Sequence, residues 1–561
     1  MPGITGLPGI RTVMRWLSLG FTPKYYFDAV NGSDSNSGLS QALAWKTITK
    51  FNATVFQPGD KIGFKRGQTF SGAMILPSSG TAGNIIVVGA YGTGSKPIIT
   101  QSASTKTISA VTRSYYTFQD LDVRNTSVTA TYNAISLSGT AHTGVKIQRC
   151  DISSPGYGIS SAAPLINAEI SNITYSGGAH EGIYIYGTGS QNVTVNNCTI
   201  NNTAGAGCIY VRYCENVSMS NNIVTNANGG TTGASYLVAN CTGILSLNNL
   251  LSTGSAGIGL YLLNNTFTSG NVSFCRFNTS AQAGISVNNC SGFNFWFTKC
   301  NGSGVGNGMT LSTGSHHINA YGCMVSNGGA DGFATVDTSH DFNFWFCRAS
   351  HNGDKNSTTG GDGYTSHQTN YNINFIGCIS DYNTCTGFAL VGTSSGLVYN
   401  CLSYKCAGDW RSVGGLDQIR AGFYLGTTGV NPTTGIGWKM RNCIGVQNYP
   451  CEIWSGVGID ADYNQYFAID QNKFATLNGT TYISWATYHA SYEANSTYAD
   501  PVILDEDDNI YPTTPILTGQ NLGVDYNKYL SKSTRWGDYD VVPSIVEDEQ
   551  PATGPWYLGA Y

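Results

Sequence analysis

The residues best suited to catalysis gather between positions 331 and 420, in a chain in which only 11% of the residues are charged. Two nearby carboxyl groups can act as acid and nucleophile on a glycosidic bond, or share a cation. Lys, His and Tyr side chains can remove a proton from carbon. This stretch therefore predicts acid–base chemistry. The candidate catalytic residues are Asp331, Lys355, Asp362, Tyr364 and His367.

Other side chains in this stretch are candidates for holding a substrate or a metal. The candidate substrate-binding residues are His351, Asp354, Trp410, Arg411 and Arg420. Asp331, Asp354 and Asp362 form a candidate cation site. Each acid also suits a purely structural role, because Asp before Gly is a common turn pair.

A second candidate site is the pair His180 and Glu181, in AHEGIYIYG. The imidazole and the carboxyl group could form an acid–base pair of their own. Glu181 could equally serve only to close a turn.

A repeat of about 24 residues runs through most of the chain and must position these residues. A Gly that opens a short apolar run recurs, after Ala134, at Gly158, Gly182, Gly207, Gly233, Gly257, Gly284, Gly308, Gly332, Gly363, Gly387 and Gly422. A parallel ladder consists of Cys150, Cys198, Cys275, Cys300, Cys323, Cys347, Cys378, Cys401 and Cys443. Short strands between Asn, Gly and Ser turns at this period predict an all-β fold, a single-stranded right-handed parallel β-helix. The cysteines are expected to be reduced and to stack inside it.

The repeat also places the candidate residues relative to one another. Asp331 and Asp362 both precede the repeat Gly, so we expect their backbones on adjacent coils, roughly 5 Å apart. Glu181 precedes the Gly six coils earlier, roughly 29 Å away. The two long steps of the repeat contain insertions at 351–362 and 404–422, which are predicted to form loops that wall one groove.

The chain divides into four predicted segments. Residues 1–24 read as a leader or virion-attachment segment, 25–130 as an N-terminal cap with the first coils, 131–450 as the regular β-helix, and 451–561 as C-terminal coils with a fold-back tail. Ser37 or Ser40 is expected to cap a short helix that runs to Phe51. This helix would cover the open end of the first coil, where exposed strand edges invite aggregation.

Composition excludes two classes of partner. With 28 Lys and Arg and a net charge of −5, the chain lacks the basic surface that nucleic acid requires. No apolar run approaches the ~18 residues of a membrane span. The N-terminus lacks an ordinary signal peptide, so the protein is expected to be either intracellular or released by another route, such as assembly into a virus particle. Of these, a virion or the extracellular space is the favoured location.

The ends of the chain resemble a known group. YYFDAVNGSDSNSG and PGDKIGFKRG near the start, and WYLGAY at the end, resemble the right-handed β-helix polysaccharide depolymerases, which include family-nine-like polysaccharide lyases and phage tail exopolysaccharide depolymerases. The resemblance implies a pectate-lyase-like solenoid that cleaves a polysaccharide outside the cell or on a phage tail. It also implies calcium held by an Asp cluster with a Lys base, which Asp331, Asp354, Asp362 and Lys355 match. Such spikes are often homotrimers attached to virion tail proteins, here through residues 1–24, although no coiled-coil heptads are present.

Three functions follow as hypotheses. The first is depolymerisation of an acidic bacterial exopolysaccharide or capsule by β-elimination, favoured because Lys, Arg, His and Tyr accompany the acids. The second is glycoside hydrolysis by the paired carboxylates. The third is a non-catalytic glycan-binding adhesin or structural spike, because one fold can serve unrelated functions.

Overall fold

The chain forms a solenoid of short parallel strands, each coil adding one strand to each of three sheets, which we call A, B and C. In a regular coil the chain passes through sheet C, then A, then B, and each strand pairs in parallel with its equivalent on the next coil. The computed structural model describes residues 21–201, 203–230, 233–353, 360–367, 369–391, 395–406, 421–426, 437–455, 460–477, 481–506, 509–512, 517–520, 522, 532–535, 544–547 and 556–557. The predicted all-β parallel β-helix is confirmed.

The strands are short throughout. Sheet A contains Tyr25–Phe27, Lys61–Lys65, Ile86–Tyr91, Tyr116–Gln119, His142–Thr143, Lys146–Gln148, Leu165–Ser171, Ser190–Asn196, Cys214–Ser220, Thr242–Asn248, Thr266–Ser273, Ser291–Trp296, His316–Tyr321, His340–Trp345, Tyr371–Ile376, Ser395–Tyr399, Gly437–Arg441 and Asp460–Asp462. Sheet B contains Thr69–Ser71, Ile98–Gln101, Asp122–Asn125, Asp151–Ser153, Thr174–Ser176, Thr199–Asn201, Ile223–Thr225, Leu251–Thr253, Arg276–Asn278, Lys299–Asn301, Met324–Ser326, Arg348–Ser350, Ile379–Asp381, Leu402–Tyr404, Ile444–Val446, Gln465–Phe467 and Thr497–Tyr498. Sheet C contains Met74–Ile75, Ile108–Val111, Ile135–Ser138, Ile159–Ser161, Ile183–Ile185, Gly207–Arg212, Ala234–Ala239, Ile258–Leu263, Ile285–Asn288, Met309–Ser312, Phe333–Thr335, Tyr364–Ser366, Phe388–Val391, Phe423–Gly426, Ile453–Ser455, Ala475–Leu477 and Thr481–Ile483.

The remaining elements lie mainly toward the C-terminus. Three antiparallel strand pairs are formed by Ile503–Glu506 with Asn509–Pro512, Leu517–Gly519 with Trp556–Tyr557, and Lys532–Arg535 with Ser544–Glu547. The helices are Ile48–Asn52, the 3₁₀ turn Gln471–Lys473, and Trp485–Ser491. Within the described ranges, no helix is long and apolar enough to cross a bilayer.

The corner between sheets A and B is a single residue with positive φ. Asn tolerates this left-handed conformation better than most residues. The residues that adopt it include Arg149, Asn172, Asn197, Asn221, Asn249, Phe274, Phe297, Phe346, Asn400 and Asn442. Glycine takes the corner at Gly322 and Gly377. A Cβ on Gly322 would stand 2.7 Å from the ring of Phe297, so the phenylalanine of one coil packs on the glycine of the next.

The interior is a set of stacked side chains. On sheet C, Phe333, Tyr364, Phe388 and Phe423 stack in succession, with ring centroids 5.1, 4.7 and 5.2 Å apart. All sixteen cysteines are buried and free of disulfide bonds, as predicted. Cys300 does not belong to the predicted ladder, because it pairs with Phe277 inside sheet B and Thr298 takes the ladder position.

The close-packed repeat position is confirmed for most of the predicted glycines. A Cβ on Gly332 would meet the carbonyl oxygen of Gly363 at 2.5 Å, which explains why glycine is required there. On three coils the strand register places this position at Cys208, Ser235 and Gly259, so the prediction for Gly207, Gly233 and Gly257 was off by one or two residues.

The N-terminal capping helix exists but is shorter than predicted. It runs from Ile48 to Asn52, and Thr47 caps it by accepting a hydrogen bond from the backbone N–H of Lys50 at 3.2 Å. The predicted caps Ser37 and Ser40 lie in turns instead. Trp45 is extended, because its backbone N–H donates to Tyr26 at 2.9 Å and it bridges the first strand. This strand pairing prevents the helix from starting earlier.

A buried carboxyl group lies inside the last coils. Register places Glu452 opposite Gly422, so a glutamate occupies the repeat-Gly position. Glu452 is fully buried, and its two oxygens accept from the backbone N–H and the side-chain amide of Asn448 at 3.0 and 2.6 Å. Burial raises the pKa of Glu452 to about 8.

Candidate functional site

The two central acids lie opposite each other on adjacent coils, as the repeat predicts. Phe333 pairs with Tyr364, which aligns Asp331 with Asp362 two residues earlier. Oδ1 of Asp331 accepts hydrogen bonds from the backbone N–H groups of Gly361 at 2.8 Å and Asp362 at 3.0 Å. Oδ1 of Asp362 accepts from the backbone N–H of Thr386 at 2.8 Å. Each acid therefore uses one oxygen to hold the turn of the next coil.

The environment of these acids favours the protonated form of the pair. Asp331 is only 8% exposed and Asp362 is half-buried. Burial raises the pKa of Asp331, and burial together with the neighbouring charge of Asp331 raises the pKa of Asp362 well above its usual range. Two carboxyl groups in this position do not both ionise readily. One of them is available as a proton donor where an exposed Asp would be charged.

His367 is a candidate base within electrostatic range of Asp331. It follows the strand Tyr364–Ser366, and its Nε2 forms a 2.7 Å hydrogen bond with the hydroxyl group of Thr365. Its Nδ1 has no hydrogen-bond partner in the part of the chain that the structure describes. Burial lowers the pKa of His367, and the charge of Asp331 acts in the opposite direction. The imidazole is therefore mostly neutral near pH 7.

The outward-facing residues of sheet C form a straight row along the solenoid axis. Because side chains alternate along a strand, the residues between the core positions face outward. We call this series the sheet C row. Its members, each the register partner of the next, are Tyr184, Tyr210, Leu237, Tyr261, Ser286, Thr310, Ala334, Thr365 and Ala389. Ala334, Thr365 and Ala389 are buried although they face away from the core.

Tyr364 cannot act on a substrate, which corrects the prediction for it. The side chain is fully buried, stacks between Phe333 and Phe388, and donates its hydroxyl proton to the carbonyl oxygen of Ile379 at 3.1 Å. Tyr364 directly follows the repeat Gly, and the residue after this Gly is a core residue in these coils.

The other predicted residues do not join the acids in the described parts of the chain. His351 is exposed at a positive-φ corner and stacks on Tyr382 with ring centroids 4.9 Å apart. The candidates that lie outside the described residues are Asp354, Lys355, Trp410, Arg411 and Arg420. No cluster of three or more metal-ligating residues occurs among the residues described. Asp331 and Asp362 alone supply fewer oxygen ligands than the six to eight that calcium takes.

The second predicted site lies on the same face, six coils before Asp331. Glu181 is 5% exposed, and its carboxylate accepts from the backbone N–H groups of Ala206 at 3.1 Å and of Gly207. Asp331 makes the equivalent two bonds, so both acids hold the next coil in the same way. His180 stacks on Tyr157 with centroids 4.5 Å apart. No hydrogen bond joins His180 to Glu181 within the described structure, so the predicted acid–base pair is not formed.

Sequence reasoning missed a cluster beside Glu181, formed by Tyr184, Tyr186, Tyr210 and Arg212. Its signal is readable in GIYIYG and CIYVRY, where polar side chains alternate with buried Ile and Val.

Comparisons with known proteins agree on the fold. A model of the family described as the right-handed β-helix region matches residues 106–274. No curated protein matches the sequence. Similar solved structures include a lacto-N-biosidase from Eubacterium ramulus, at 15% identity over 62% of this chain and 67% of that chain with a TM-score of 0.39. Tailspike protein 3 of bacteriophage CBA120 is similar at 12% identity over 75% of this chain and 63% of that chain, with a TM-score of 0.37.

A pectate lyase is also similar, at 14% identity over 79% of this chain and 80% of that chain with a TM-score of 0.20. The expected resemblance to β-helix polysaccharide-active proteins is confirmed at the level of the fold. At these identities, the similarity concerns architecture and not the reaction.

Proposed function

We propose that this protein depolymerises an acidic polysaccharide on the outer face of sheet C. The observation that carries the proposal is a pair of adjacent carboxyl groups with raised pKa values, within electrostatic range of an imidazole whose pKa is lowered. One member of the acid pair can then donate a proton and the neutral imidazole can accept one, as general acid–base catalysis requires. On the neighbouring coils Asn307 and Thr386 take the position of the acids.

The favoured reaction is β-elimination. Nδ1 of His367 accepts the proton from C5 of a uronate ring, the C4–O4 bond breaks, and a C4–C5 double bond forms. The protonated member of the Asp331 and Asp362 pair donates its proton to the departing oxygen. The atoms balance without water or a redox partner, and the products are a shortened chain and an unsaturated uronate end.

Hydrolysis is the second candidate, and the same acid pair supports it. Strand spacing sets the backbones of adjacent coils roughly 5 Å apart, and carboxyl groups about 5 Å apart are typical of retaining glycosidases. In that reaction one Asp is the nucleophile and the other the acid. A phage tail or extracellular location, attachment through residues 1–24 and a homotrimer accompany the proposal as predictions from the sequence.

The test is cleavage of a panel of acidic bacterial exopolysaccharides. Chain length is followed by size-exclusion chromatography and unsaturated uronate by ultraviolet absorbance. We expect shortening with new absorbance, lost in Asp362→Asn and in His367→Gln. His316→Gln is the matched control, because this histidine lies on sheet A. Repeating the assay with EDTA tests the calcium expectation.

The outcomes separate the hypotheses. Shortening without absorbance selects hydrolysis. Full activity in both site variants moves the reaction away from this site. Binding of a polymer that the protein never shortens selects the glycan-binding adhesin or spike.

A further inference from the structure

Tyrosines cover the upstream part of the sheet C row. Tyr184 lies between the core residues Ile183 and Ile185, so its ring faces outward. It stacks on Tyr210 of the next coil with centroids 5.0 Å apart, and on Tyr186 at 4.4 Å. Because stacked rings cover one another's faces, their edges and hydroxyl groups remain for a ligand. Among the described residues, the hydroxyl groups of Tyr186 and Tyr210 have no hydrogen-bond partner.

Arg212 lies at the end of the strand that carries Tyr210, with its guanidinium group against these phenols. It donates to the hydroxyl groups of Tyr184 and Tyr213, and it lies over the ring of Tyr213 at 4.3 Å. No carboxylate lies within 4.0 Å of it in the described ranges, and its buried Nε has no hydrogen-bond partner there. A guanidinium group has five N–H donors. Arg212 thus retains unused donors and an uncompensated charge.

The position of this cluster connects it with the acid pair. Five register steps of the sheet C row separate Tyr210 from Ala334, so the distance along the solenoid is about 24 Å at the strand spacing. Between them the row passes Leu237 and Tyr261 and then the small residues Ser286 and Thr310. An extended polymer can therefore lie on both positions at once.

We propose that Arg212, with the hydroxyl groups of Tyr184, Tyr186 and Tyr210, binds an anionic sugar residue of a polysaccharide at a position separate from the acid pair. The planar guanidinium fork matches a carboxylate or a sulfate, and phenol hydroxyl groups bond to sugar hydroxyls. The inference rests on the proposed function in one respect, namely that the bound polymer is the polysaccharide that the acid pair cleaves. It adds a second attachment point, which favours long chains over short fragments.

Binding is measured by affinity electrophoresis of the full chain carrying Asp362→Asn. The gels contain polygalacturonate, dextran sulfate or neutral dextran. We expect Arg212→Gln to weaken binding to an anionic polymer about tenfold, and Tyr210→Phe, which keeps the ring stack, about threefold. Arg276→Gln is the matched control, because Arg276 lies on sheet B. If retention in polygalacturonate depends on Arg212, the bound anionic group is a carboxylate. If retention in dextran sulfate depends on it, the group is a sulfate.

Equal retention of Arg212→Gln and the parent in both anionic gels overturns the inference. Arg212→Lys guards against a folding artefact, since it keeps the charge and loses the fork, and we expect intermediate binding. A fragment too short to span both positions should be cleaved equally by the protein with and without Arg212→Gln. Absence of any cleavage refutes the proposed function, but leaves the binding comparison valid.

Discussion

Glu452 is expected to make the last coils less stable as the pH rises. In the folded chain its pKa is about 8, against an ordinary value of 4.5. The folded state therefore holds a proton that the unfolded state releases, so the stabilising contribution is complete below pH 4.5 and is lost progressively up to about pH 8. Each pH unit corresponds to about 1.4 kcal/mol. Over the whole interval, the free energy of opening falls by about 5 kcal/mol.

Hydrogen exchange measured by mass spectrometry tests this expectation. Peptides from 437–455 should lose protection about tenfold per pH unit between pH 5 and 8, after correction for the intrinsic exchange rate. Glu452→Gln is neutral at every pH, so this slope should disappear in the variant. Peptides from 108–138 provide an internal control. Glu493, which is also buried and has a raised pKa, is present in both proteins, so its effect cancels in the comparison. Identical slopes in both proteins would refute the reasoning.

Three further predictions concern other parts of the solenoid. Tyr364→Phe removes the hydrogen bond to Ile379, so it should lower the free energy of unfolding by about 1 kcal/mol in thermal unfolding and leave cleavage unchanged. Loss of cleavage at unchanged stability would contradict a core role for Tyr364. Arg348 and Asp381 form a buried bidentate pair at 2.9 Å, so Arg348→Met should destabilise the protein by about 3–5 kcal/mol, and adding Asp381→Asn should restore part of the loss in a denaturant titration. Cleavage should require neutral His367, and its lowered pKa places the acid limb of the pH–rate profile below pH 6.5. An acid limb above pH 6.5 would argue against His367 as the base.

The repeat predicted the fold because most coils obey the same steric rule. On most coils a carbonyl oxygen of the next coil closely approaches the position before the first inward residue of sheet C, which favours a small residue there, and Gly332 and Gly363 show this directly. The prediction failed at Gly207, Gly233 and Gly257, because glycine also suits the adjacent turns. Spacing alone does not distinguish these two uses of glycine.

The candidate site was predictable where it depended on coil register, and not where it depended on side-chain direction. Adjacency of Asp331 and Asp362 follows from their shared place before the repeat Gly. Tyr364 was misjudged because a phenol suggested chemistry, although Phe388 at the equivalent position indicates a core residue. The stack of Tyr184 and Arg212 requires knowledge of which strand residues face outward.

The buried cysteines can report which coils of the molecule open. Burial raises the pKa of thiols such as Cys150 and Cys198 to about 12, and a protonated, inaccessible thiol does not react with alkylating agents. Since these thiols are distributed from residue 150 to residue 451, each modified cysteine identifies the coil that had opened. A brief alkylation pulse followed by peptide mapping would therefore show whether the solenoid opens first at one end or in the middle, without any engineered residue.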